Sequence, residues 1–167
     1  MKRRTLIAGV GLAVLPVRAW TNSGWREIEL NRTHLRFWHE NRRLHAQFGA
    51  PTDGWLAVGF NNEQVLEGTR FVIGAMKNGS FHAEKHIVVG PGHPTVQSLG
   101  YEATVTGVTG EVTATHSTMA FSLPHVFPDT SSPSLSPGKT THLMLACSQD
   151  ANFSHHSAWR RHLDITL

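Results

Sequence analysis

Beyond residue 19, short runs of alternating apolar and polar residues, broken by turn formers, make up most of the chain, and helical periodicity is nearly absent. The closing stretch is the plainest: Leu163, Ile165 and Leu167 alternate with His162, Asp164 and Thr166, the period of a strand with one buried face. "HLRFWHENRRLHAQF" reads as a hairpin turning at Glu40-Asn41. "RFVIGAMKNGSFHAEKHIVV" reads as a second hairpin, because Asn78-Gly79 suits the positive φ angles of a two-residue turn. "GWLAVGF", residues 54–60, is almost continuously apolar and predicts a central strand; "THLMLAC" predicts another apolar strand, and "EVTATHSTMAFSL" alternates again. Roughly nine strands of this kind predict an all-β fold, an immunoglobulin-like antiparallel β-sandwich.

One connection differs from the hairpins. Residues 124–139 contain Pro124, Pro128, Pro133 and Pro137 among five serines and threonines. Such a segment cannot lie inside a sheet, and its length suits a crossover between the two sheets. No internal repeat or domain linker interrupts the pattern.

The first nineteen residues follow other rules. Lys2, Arg3 and Arg4 precede an apolar run at residues 6–17, and Val17-Arg18-Ala19 resembles a signal-peptidase site. They predict a signal peptide at 1–19 and a single domain at 20–167. Arg3-Arg4 fits a twin-arginine signal and an ordinary one alike, and the run is shorter than the roughly 20 residues of a spanning helix. A periplasmic or secreted protein, without stable membrane insertion after cleavage, is therefore expected.

Removing that segment changes the charge. It holds four cations and no acid, so the formal net charge of +3 becomes −1, and nucleic acid or an anionic membrane loses its support as a partner. All twelve histidines lie beyond it. Cys147 is the only cysteine: no internal disulfide forms, thioether attachment of haem through C-x-x-C-H is excluded, and the apolar setting predicts a buried filler.

The order of motifs resembles the DOMON family, sandwiches of the dopamine β-monooxygenase N-terminal type. "DGWLAVGFNNEQVLEGTRFVIGAMKNG", followed about eighty residues later by "HHSAWRRHLDITL", carries the resemblance, which spans roughly Thr33 to Leu167. Trp55, Ala57, Gly59, Phe60, Gly68, Val72, Ile73 and Gly74 match the family pattern in order, and His156 with Arg160 matches its final histidine and arginine. Similar domains in cellobiose dehydrogenase hold b-type haem between a methionine and a histidine and pass electrons; others bind sugars or metals, or pack beside a partner.

The resemblance implies a haem-ligand role for His156, and it places Leu66 where the family has its methionine. The hairpin 69–89 starts from the Leu66 loop and returns to "GPGHPTV", so His93 is the best-placed second ligand. Trp55 would wall the pocket, and Arg160 would hold a carboxylate by paired hydrogen bonds. His82 and His86 share a strand face about 13 Å apart and cannot grip one ion. Met76, Met119 and Met144 fall in strands and read as core packing, while Asp53, Glu63 and Glu67 cluster near the candidate pocket.

Plainer roles fit the same residues: a polar loop pair for His155-His156, packing for Trp55, a solvated strand edge for Arg160. Three functions remain open. One is an electron-transfer module holding haem b and meeting a redox partner protein. Another is a haem-free module for a sugar, other small ligand or partner. The third is a copper or zinc site built from His155, His156 and a distant histidine. Motifs for hydrolysis, zinc peptidase chemistry or phosphate binding are missing from the sequence, so catalysis by the chain itself is not expected.

Overall fold

Alternation along the chain resolves into ten antiparallel strands in a computed structural model that describes residues 24–128 and 132–167. The predicted signal peptide lies outside the described residues. The strands are β1 (Arg26–Leu30), β2 (Thr33–Glu40), β3 (Arg43–Ala50), β4 (Leu56–Asn61), β5 (Arg70–Lys77), β6 (Ser80–Ile87), β7 (Thr106–Val112), β8 (Ser117–Pro124), β9 (Thr140–Cys147) and β10 (Trp159–Thr166). Two five-stranded sheets, ordered β1-β2-β3-β8-β7 and β10-β9-β4-β5-β6, form the expected sandwich. No helix among the described residues is long and apolar enough to cross a membrane.

Ten strands stand against roughly nine expected; β1 is not among the runs read from sequence, and "EVTATHSTMAFSL" holds the end of β7 as well as β8. Val112 pairs with Ser117, and Thr113 turns the chain by accepting the His116 amide at 3.0 Å through its hydroxyl. Alternation continues on both sides of this turn, so the pattern hides it. The first hairpin turns one residue later than expected. Glu40 pairs with Arg43, leaving Asn41 and Arg42 at φ 50° and 58° as the turn residues. Asn78-Gly79 turns where the sequence predicts, at φ 52° and 78°.

The proline-rich segment carries the chain from β8 in one sheet to β9 in the other. It is pinned at Leu135, which is fully buried between the sheets and whose amide bonds to the His125 carbonyl at 2.8 Å.

Central strands of the second sheet are apolar on both faces, which explains their unbroken hydrophobic runs. Leu56, Val58 and Phe60 of β4 and Leu143, Leu145 and Cys147 of β9 face the other sheet. Trp55, just before β4, and Ala57 face outward with Phe71 and Ile73 of β5 and Met144 and Ala146 of β9. An outward apolar face needs a cover to stay out of water. Loop residues Val88 and Phe153 belong to this outer cluster and supply part of that cover.

Candidate functional site

Three connections build a pocket over that outer face. In the β4–β5 connection, Asn61 sits at the end of a buried strand with its amide turned into the loop. Its Nδ2 donates to the Val65 carbonyl at 2.8 Å and the Glu67 carbonyl at 2.9 Å, while its Oδ1 accepts from the Asn62 amide at 2.7 Å. The connection after β6 is sewn to it: Gly68 N–H donates to Val88 O and Val88 N–H to Thr69 O, both at 3.0 Å. The Glu67 carboxylate accepts the Gly90 amide at 2.9 Å.

The β9–β10 connection is held against the start of β4. Trp55 N–H donates to Asp150 O and Ser148 N–H to Trp55 O, each at 3.0 Å, and Ser148 Oγ donates to the His156 carbonyl at 3.1 Å. This close approach requires Gly54. A Cβ there would lie 2.3 Å from the Ser148 carbonyl oxygen and 2.5 Å from the Asp150 nitrogen.

Together these loops enclose a pocket of about 720 Å³, within the usual range for cofactors and small ligands. Its floor is Ala57, Phe71, Ile73, Met144 and Ala146. Around that floor stand Trp55, Leu66, His93, His156 and Arg160, the five residues singled out from sequence, along with His155. Trp55 is buried with its indole nitrogen lacking a protein partner, Leu66 is 39% exposed, and His155, His156 and Arg160 are exposed.

His93 has a supporting network. Nδ1 of His86 donates to the His93 carbonyl at 2.6 Å and lies 3.2 Å from the His93 Nδ1. The other nitrogen of His86 is 3.1 Å from the Glu84 carboxylate. Both imidazoles pack on Phe71, with ring centroids 5.5 Å and 5.4 Å away. Burial, and then the neighbouring His86, holds the His93 imidazole below the usual histidine range, favouring the neutral form that donates a lone pair to a metal.

Several sequence readings change here. Met119 is interior as expected, but Met144 floors the pocket, because it occupies an outward position on β9. Glu67 is bonded to the Gly90 amide, and neither it nor Asp53 nor Glu63 borders the pocket. His86 touches His93 directly, a contact not read from the sequence. Among the described residues no three His, Cys, Asp or Glu side chains converge to hold a metal ion. The copper or zinc site of His155, His156 and a distant histidine is therefore not assembled. Cys147 faces the inter-sheet core, and burial pushes its thiol up from the usual value.

A second cleft, of about 410 Å³, shares Leu66 and Arg160 with the pocket. It contains an array absent from the sequence reading. Asp164 stands directly opposite His142 in the β9–β10 register. Its carboxylate accepts from His142 Nδ1 at 2.7 Å and also from the Gln64 amide. His142 Nε2 lies 3.1 Å from His162 Nδ1. The bonds from His142 and then Gln64 hold the Asp164 carboxyl below its usual range. Burial, His142 and Arg160 lower the His162 imidazole. The sequence signal was a histidine and an acid at outward positions of two strands that the fold makes neighbours.

The fold and this site define a β-sandwich module with an apolar, histidine-bordered pocket on the outer face of one sheet. No family model matches the sequence, and no curated protein is similar to it. Solved structures do match. The cytochrome domain of cellobiose dehydrogenase from Myriococcum thermophilum aligns with a TM-score of 0.55 and 12% identity, over 86% of this chain and 81% of that one. The cytochrome b domain of pyranose dehydrogenase from Coprinopsis cinerea aligns with a TM-score of 0.61 and 7% identity, over 80% and 76%. The chain thus shares the β-sandwich fold of these two domains, the fold expected from its motif order.

Proposed function

We propose that this chain is an exported electron-transfer module that binds haem b without covalent attachment in the 720 Å³ pocket. The observation that carries the reading is the convergence of His93, His156, Trp55, Leu66 and Arg160 on one apolar-floored pocket, in a fold shared with two cytochrome domains. The residues present suit the group. Aliphatic and aromatic side chains receive the macrocycle, imidazoles at the border supply nitrogen ligands, and the exposed Arg160 guanidinium suits a propionate. Cys147 lies on the opposite face of the sheet, in keeping with non-covalent binding.

Bound haem supplies a one-electron Fe(III)/Fe(II) couple. The chain's own part is to hold and tune it. His156, whose backbone is anchored by Ser148, and His93, whose backbone is anchored by His86, would hold the iron through their imidazoles. These bonds fix the backbone that carries each imidazole, and the apolar floor would keep water from a bound ring. Val65 and Val89, each 47% exposed, adjoin Leu66 and Gly90 at the pocket border and leave an apolar rim for a redox partner protein. The signal-like residues 1–19 support export to the periplasm or outside the cell.

Reconstitution with haem tests the reading: the purified protein should show a Soret band that His156→Ala shifts or abolishes. An absent band, or one indifferent to His156→Ala, overturns it. Leu66, in place of the family's methionine, favours one alternative, a haem-free module for a sugar or other small ligand. Thermal melting against haem and against glycans separates the two, because a ligand that binds only the folded state raises Tm with its concentration.

A further inference from the structure

The Asp164–His142–His162 array has no part in holding a ligand in the larger pocket, yet it abuts that pocket. His162 pairs across the sheet with Met144, which floors the pocket, and Leu66 and Arg160 border both cavities. Bond chemistry orders the array. The Asp164 carboxylate can only accept, so it fixes a proton on His142 Nδ1. The Nε2 of neutral His142 then accepts from His162 Nδ1–H, which leaves Nε2 of the exposed His162 as the atom where a proton enters.

The groups that titrate or carry charge around His162 are few. From β9 comes His142; from β10 itself come Asp164 and Arg160; the β4–β5 connection contributes only the neutral Gln64. Partial burial, then His142 and Arg160, oppose a proton on His162, whereas the Asp164 carboxylate, bonded to His142, is the negative charge on the other side of the balance. A balance of this kind is tipped by one added negative charge nearby.

We propose that this array is a proton-uptake site coupled to reduction of the neighbouring pocket's cofactor, so that the module carries a proton together with its electron. The inference rests on the haem reading of that pocket. One electron arrives from a one-electron reductant, and one proton leaves hydronium to form an N–H bond at His162 Nε2, so the net charge of the module stays constant. Coupling is reciprocal: if reduction tightens proton binding, protonation raises the reduction potential by the same free energy. Within the coupled window the potential falls by about 59 mV for each tenfold drop in proton activity, the one-electron equivalent of a tenfold change.

The experiment is a spectroelectrochemical titration of the haem-reconstituted full chain from about pH 5 to 9, the range that covers imidazole titration. The wild type should show a pH-dependent potential. His162→Gln should keep the Soret band and flatten the slope, and Asp164→Asn should move the sloping window to lower pH. A flat wild-type potential, or the same slope in His162→Gln, overturns the proposal alone. Failure of the wild type to bind haem overturns the proposal together with the haem reading on which it stands.

Discussion

Leu66 sits at the pocket border at a position that the DOMON pattern gives to methionine, and its side chain has no lone pair for a metal. Replacing it by methionine is a change of ligand chemistry at nearly constant volume. A methionine–histidine pair raises the potential of a haem protein relative to other axial sets. In the haem-loaded protein, Leu66→Met should therefore displace the His93 imidazole, raise the midpoint potential and alter the ligand-sensitive visible bands. An unchanged potential and spectrum would mean that residue 66 does not reach the iron. The five sequence-derived pocket residues were legible for different reasons. His156, Arg160 and Trp55 came from motif order, His93 from hairpin geometry, and Leu66 from a position where the motif is broken. Asn61 and the pairing of His86 with His93 gave no such signal, since both depend on how a short loop closes, Asn61 Nδ2 reaching the carbonyls of Val65 and Glu67 and His86 reaching His93, which no spacing rule anticipates.

Between elements, the tightest constraint is where the turn before β4 meets the chain after β9. Thr52 donates its hydroxyl to the Ser148 carbonyl and accepts the Gly54 amide at 3.1 Å, while Ser117 donates to the Thr52 carbonyl at 2.7 Å. Gly54 lies against the backbone of residues 148–150, which cannot give way as a flexible side chain would. Gly54→Ala should destabilise the fold by about 1–3 kcal/mol, as overpacking in a tight region does, measurable as a lower midpoint in urea unfolding. Because the same connection bears His155 and His156, the substitution should also weaken ligand retention in the pocket. Stability and binding equal to wild type would show that the two backbones are free to separate. Most strands were read from pattern, but β1 and the greater part of β7 were not. Two turns were also misread, where Thr113 and Asn41-Arg42 reverse the chain without disturbing alternation.

Across the whole molecule, the histidines make acid the expected weak point. Burial is the first cause of lowered proton affinity at His34, His39, His45, His93 and His162, each relative to a usual value of 6.5. Nε2 of both His39 and His45 is buried without a partner. In the window below 6.5 the unfolded chain binds more protons than the folded one, so stability is full above that value and falls as pH drops through the folded values. Asp164, lowered by its bonds to His142 and Gln64 from a usual 3.8, adds stability that is lost at still lower pH. Thermal melting of the cofactor-free protein should give a Tm that declines on acidification from about pH 7.5 to 5, where imidazoles titrate. A Tm constant over that interval would contradict the assignment of these histidines as neutral in the folded state.

The sequence by itself determined most of the strands, the Asn78-Gly79 turn, the crossover through the proline-rich segment and the sandwich class. Each depends on the alternation of side chains or on the backbone limits of proline and glycine, properties that neighbouring residues already possess. It also marked Trp55, Leu66, His93, His156 and Arg160, through motif order and hairpin geometry. Only the tertiary structure decided that the outer face of the second sheet is roofed into a pocket, that Met144 forms its floor, and that Asp164, His142 and His162 meet beside it. Those relations arise from strand register and loop closure across separations as long as the 100 residues between Gln64 and Asp164. Local pattern says which face a side chain takes, and pairing says which neighbour it finds there.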